Sequence, residues 1–276
     1  MDLATVLGIA LALFSIAFSV IIGHVEIGIL FQRYEAFVLV FGGTIAATMI
    51  SFPMKTFTRG VVTGFGMAFT EPQYHEHEII ANLVTFAEKA RREGLLALEN
   101  EAAELDDEFM RKGIQLVIDG RDADIIRKIL ETEVLFVQER NAKAESVLST
   151  MGGFSPTLGI IGTVLGLIAM LSKLGDTTGG NVTGSIGQAT ASAFVATFFG
   201  IALANLLWLP LGSKVKERNG QLLLLREIMI EGILSIQAGD NPRLLEEKLH
   251  AFLDPNERET EVEEGGTVGE LSPAST

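Results

Sequence analysis

Residues Pro156 to Leu171 form an uncharged run, PTLGIIGTVLGLIAML, in which Gly159, Gly162, Thr163 and Gly166 recur every three or four positions. At helical spacing they share one face, so a second helix can approach closely and meet the Thr163 hydroxyl at the contact. A simple apolar anchor needs none of these residues. A second apolar stretch, Ser192 to Pro210, carries Ser192 and Thr197 near Gly200 and can turn another hydroxyl toward such a seam. Pro156 and Pro210 sit near one end of these two stretches, where each removes a backbone N–H and creates a place for a helix to bend. Each feature also has a plainer use. Small-residue stripes commonly serve packing alone, threonine often bonds back to its own helix, and a single proline at a span end marks a boundary. Two matching prolines beside basic segments make a hinge pair, and with a large charged segment elsewhere they indicate a membrane machine that handles ions and pushes on something in the cytoplasm.

The elements that must position these groups follow from hydropathy. The chain has 276 residues, 48% hydrophobic and 20% charged, with a mean hydropathy of +0.36. That is too apolar for an ordinary soluble domain and too charged for a bare bundle of spans. Four stretches approach the roughly 20 residues needed to cross a bilayer: Leu3–Gly23, Ala36–Phe52, Leu148–Leu171 and Ser192–Gly212. The first lacks the basic start of a signal peptide and reads as a retained span. Lys55 and Arg59 follow span two, Arg140 and Lys143 precede span three, and Lys214, Lys216 and Arg218 follow span four. The cation bias therefore puts both termini in the cytoplasm, with short outside loops near 24–35 and 172–191. No span carries an acid, base or histidine at membrane depth, so an ion crossing here needs a carboxylate from another chain.

The expected organisation is all-α and polytopic. It comprises residues 1–53 (spans one and two), 54–147 (a helical cytoplasmic loop), 148–212 (spans three and four), 213–253 (cytoplasmic helices) and 254–276 (an acidic disordered tail). Helical periodicity runs through Ile79–Leu98 and through Ala123–Val147, the latter continuing without a breaker toward span three. Gln221–Ile236 is amphipathic and stops at Gly239, and Asn241–Pro242 opens another helix. With no cysteine the chain has no thiolate chemistry, a net charge of −14 argues against nucleic acid, and the four histidines are too scattered for a metal site. No phosphate loop or catalytic pair is present, so the chain does not read as an enzyme and calls for no cofactor.

The strings ARREGLLALE (Ala90–Glu99), PTLGIIGTVLGLI (Pro156–Ile168), FVATFFGIALANLLWLP (Phe194–Pro210) and REIMIEGILSIQAGDNP (Arg226–Pro242) resemble the MotA/PomA family of flagellar stator subunits over residues 1–253. The resemblance implies a bacterial inner-membrane protein with four spans, forming a homopentamer around a dimer of a single-span, peptidoglycan-anchored MotB/PomB-type partner that supplies the ion-binding Asp. It also implies rotor contact through Arg91 and Glu99 with the switch protein FliG, and coupling through Pro156 and Pro210. By the same resemblance Thr163 and Thr197 lie at the ion site, while Gly159, Gly162 and Gly166 are packing positions by their own spacing. Sodium-type members carry threonine where proton-type relatives often have alanine at the first position. Oxygen ligands suit a partly dehydrated Na+, whereas a proton needs only the partner's carboxylate and water. Sodium is therefore expected over protons. An ExbB/TolQ-like energy-transducing subunit is the alternative, but three spans and no RREGLLALE are expected there. A proton-driven MotA and a self-contained channel are the others.

Overall fold

In the computed structural model, residues 2–24, 28, 33–70, 76–174 and 182–253 are described. Their regular structure is helical: α1 (Leu3–Ile22), α2 (Tyr34–Ser51), α3 (Met54–Phe69), α4 (Glu76–Glu93), a 3₁₀ turn (Leu95–Leu98), α5 (Glu99–Glu104), α6 (Glu108–Ile118), α7 (Ala123–Leu174), α8 (Val182–Leu203), a π segment (Ala204–Trp208), α9 (Leu209–Ala238) and α10 (Pro242–His250). Among the described residues there is no strand. The expected acidic tail, 254–276, lies outside them, as do the middles of the expected loops at 24–35 and 172–191.

Among the described residues, four helices are long and apolar enough to cross a membrane. The chain divides into two compact units, residues 1–72 with 138–219, and residues 73–137 with 220–276. The expected boundaries at 53/54, 147/148 and 212/213 follow where hydropathy ends; the units divide where packing ends. α3 illustrates the difference. Its Gly60, Gly64 and Ala68 recur every four residues and are buried, and a Cβ at Gly60 would lie 2.8 Å from Val147 Cγ2. This glycine stripe seats α3 on α7 within the first unit, although Lys55 and Arg59 make it read as cytoplasmic loop.

Inside that unit α1 is apolar all round and contributes no buried residue, as a lipid-facing helix does. α2 buries Ala36, Val40, Thr44 and Thr48 at four-residue spacing. The two threonines bond back to Val40 O (2.6 Å) and Thr44 O (2.7 Å), which makes a buried hydroxyl compatible with an apolar contact. Phe37 meets Phe199 of α8 edge-on at 5.4 Å. At the start of α1, Asp2 caps the helix by accepting from Thr5 N and pairs with Lys214 and Arg218 of α9. Arg218 is 5% exposed and also donates to the Met67 and Thr70 carbonyls at the end of α3.

Span four differs from expectation. The expectation starts it at Ser192 and makes 182–191 part of a short, Gly-rich loop. The helix starts at Val182. Small residues there allow α8 to lie against α7 and α2, and that packing outweighs their modest helix propensity.

The second unit is a separate helical core. Leu83, Leu98, Met110, Ile114, Ile126, Leu130, Ile228, Met229, Ile233 and Leu245 are all essentially fully buried, each contributing about 1.5–3 kcal/mol on burial. Asp107 caps α6 through Met110 N and also receives Arg226 at 2.7 Å, whose guanidinium lies 4.5 Å from the Phe109 ring centre. Gly239, at φ +72°, ends α9, and the Asn241 side chain caps α10 by accepting from Arg243 N at 3.1 Å. The helix expected over Ile79–Leu98 ends instead at Glu93. Gly94 takes φ +88°, a left-handed value that an α-helix cannot continue, and Leu95–Leu98 form the 3₁₀ turn.

Candidate functional site

Within the first unit α7 and α8 pack along the small-residue seam. A Cβ on Gly162 would fall 2.5 Å from Ala196 Cβ, one on Gly166 2.7 Å from Ala193 Cβ, and one on Gly159 3.0 Å from Ala196 O. Gly159 and Gly200 meet backbone to backbone, since a Cβ on Gly200 would lie 2.9 Å from Gly159 Cα. At this closeness the hydroxyls of Thr163 and Thr197 reach each other and hydrogen-bond. Thr163 Oγ1 also lies 3.1 Å from Gly159 O and 3.3 Å from Ala193 O. Two hydroxyl oxygens and two helix carbonyls thus converge in one spot of an otherwise apolar contact. That is a set of oxygen dipoles of the kind that can replace part of a hard cation's hydration shell. Both threonines are half-buried, so the spot is open on one side.

Ser192 does not join them. Its hydroxyl donates instead to Glu35 Oε1 at 3.4 Å, facing α2, and Glu35 in turn pairs with Arg33 at 3.6 Å. Glu35 stands in the first turn of α2, one residue before the expected start of span two, and from Ala36 to Ser51 the helix holds no charged residue. A cleft of about 440 Å³ lies on this side, lined by Arg33, Glu35, Lys173, Gln188 and small residues of α7 and α8.

Pro156 lies inside α7. Pro210 follows the π segment, in which the Leu209 N–H donates to Ala204 O, five residues back. The wider register passes over the N–H that Pro210 lacks, and Asn205 Nδ2 supports the break by donating to Ile201 O at 2.9 Å. The bend expected from proline is accommodated here by a π-bulge, a feature that composition alone does not announce.

In the second unit Arg91 sits in the last turn of α4 and Glu99 opens α5, with Gly94 and the 3₁₀ turn between them. Both are exposed, and among the described residues neither forms an ion pair. Arg92 and Glu93 beside them are exposed as well. Lys89 pairs instead with Glu101 across the turn, and this hydrogen bond raises the lysine's pKa above its ordinary value. The turn is thereby pinned while its outward charges stay exposed. Leu98 anchors it from below, fully buried, whereas Leu96 is 73% exposed.

Comparison with known proteins agrees with this architecture. The profile of the MotA/TolQ/ExbB proton channel family matches residues 101–228. The chain is 36% identical to Motility protein A of Bacillus subtilis, covering 96% of both chains. It is 34% identical to Chemotaxis protein PomA of Vibrio alginolyticus over 96% of this chain and 100% of that one. Its fold is similar to a chain in the structure of the flagellar MotAB stator complex from Bacillus subtilis, with a TM-score of 0.85 and 35% identity over 94% of this chain and 99% of that chain. The chain belongs to the MotA/PomA family of flagellar stator subunits.

Proposed function

We propose that this chain works with a single-span MotB/PomB-type partner to couple inward cation flow, Na+ in preference to H+, to torque on the flagellar rotor. The observation that carries the ion choice is the Thr163–Thr197 hydroxyl pair, with the Gly159 and Ala193 carbonyls beside it. The partner supplies the carboxylate, since the interior of the four spans offers none. The MotAB composition of its structural relatives supports a MotB-type partner; in this proposal five copies ring a partner dimer in the inner membrane, and the cation bias of the loops puts both termini in the cytoplasm. Occupation and release of the cation at successive interfaces turns the ring, and Arg91 and Glu99 pass that motion to FliG by charge contact.

A proton-driven reading has one observation in its favour: Thr163 lies within bonding distance of its own Gly159 carbonyl, as a packing threonine does. The ExbB-like alternative would expect three spans, against the four candidates here. Complementation of a stator-deleted strain tests the central role. Swimming restored only when this chain and its partner are both expressed supports it; a complex that assembles in the membrane without restoring motility overturns it.

A further inference from the structure

One polar group in the α7–α8 seam has no use in the site described above. Ser155 is 0% exposed, and its Oγ has no hydrogen-bond partner among the described residues. Buried hydroxyls elsewhere in the spans behave differently: Thr44 and Thr48 each bond to a carbonyl four residues back. Ser155 lies eight residues before Thr163, about 12 Å along the helix on the proline side. Gly159 stands between them on the same face. The helices are close at this level, for a Cβ on Gly200 would lie 2.8 Å from Ser155 O.

The surroundings also leave polar groups open. Pro156 offers no N–H to the Gly152 carbonyl, which in a regular helix would receive it. Lower on the seam, where Gly152 meets Leu209, the π segment interrupts the α register. A buried hydroxyl with no protein partner is a place where an internal water can be held once the packing around it opens.

We infer that Ser155 marks a hydrated station on the cation path, on the proline side of the Thr163–Thr197 pair. Its hydroxyl holds the water that meets a monovalent cation leaving the two threonines. This rests on the reading of cation passage along that seam. The hydroxyl replaces hydration lost at the threonines at the level where Pro156 and the π segment interrupt regular helix bonding.

The chain contains no cysteine, so Ser155→Cys introduces a single thiol of nearly the same size. The full complex with a cysteine-free partner is exposed to Ag+ while motor speed is followed. Where Ag+ arrives with water, the thiol loses its proton and the sulfur takes the metal. Stalling at least tenfold faster than in the wild-type complex, and than in Val40→Cys, whose site is equally buried in α2, is the expected result. An assembled Ser155→Cys motor stalling at the wild-type rate overturns the inference. Should that variant not assemble, Ser155→Ala decides: maximal speed falling severalfold with half-saturating sodium unchanged supports the station, and an unchanged maximum overturns it. Sodium-independent wild-type swimming would remove the sodium reading alone, because Ag+ reports hydration at Ser155 and not selectivity at the threonines.

Discussion

A hydroxyl inside an apolar helix contact either satisfies itself on its own helix or is shared with a neighbour, and Thr163 does both. On the proposed reading the pair is a ligand set for the cation, and its loss should then be read in the sodium dependence. Thr163→Ala is expected to raise the sodium concentration for half-maximal speed about tenfold, the size of effect given by losing one ~1.5 kcal/mol contact to a charge, with ring assembly retained. An unchanged sodium dependence would make the pair a packing device. Arg91→Glu or Glu99→Lys should lower torque at high load with the complex still recovered intact from membranes, because both side chains are exposed and form no ion pair among the described residues. Failure to assemble would assign them a structural role. At this scale the sequence was informative where spacing is the cause. The three- and four-residue spacing of glycines around Thr163 placed the hydroxyl on a face fit for close packing, and α7 and α8 pack closely there. Spacing did not reveal that Ser192 turns to Glu35, because that depends on the rotation of α8 against α2.

At the scale of elements, close approach and backbone conformation decide what a substitution does. A Cβ at Gly159 meets backbone atoms of α8 that cannot swing away, whereas at Gly153 it meets nothing within 4 Å. Gly159→Ala should therefore abolish motility and lower the thermal stability of the complex, and Gly153→Ala should leave both near wild type. Equal behaviour of the two would contradict the packed seam. Gly94→Ala forces a side chain into φ +88°, at a cost of about 1–2 kcal/mol. It should reduce torque without altering any charge, by shifting the turn that spaces Arg91 and Glu99; unchanged torque would show that the turn's shape is immaterial. Periodicity found α4 but extended it through Leu98, since Leu95 and Leu98 continue the apolar spacing and only the conformation of Gly94 reveals the stop. The π segment was illegible for a related reason: Pro210 predicts that hydrogen bonding must be interrupted, but not whether a kink or a wider turn absorbs it.

For the molecule as a whole, hydropathy found the four spans because bilayer thickness fixes their length. It did not assign α3, whose basic residues face away from a glycine stripe that joins it to the spans. Nor could it pair Asp2 with Lys214 and Arg218, some two hundred residues apart. The hydrogen bond from Lys214, the Thr5 amide and the two cations' charges hold the Asp2 carboxyl well below the usual carboxylate range. A lowered carboxyl pKa stabilises fully above its unfolded value, about 4, and that contribution fades as pH falls through the folded value. Asp2→Asn should thus lower the melting temperature of the complex by a constant amount between about pH 5 and 8, and the gap should close only in strong acid. A gap that varies within that window would contradict the ion cluster. The central claim concerns the whole assembly, and swimming speed tests it most directly. A stator-deleted strain carrying this chain and its partner is followed across sodium concentrations at fixed proton-motive force. Speed rising with sodium to saturation is the predicted result; vigorous swimming independent of sodium would contradict it.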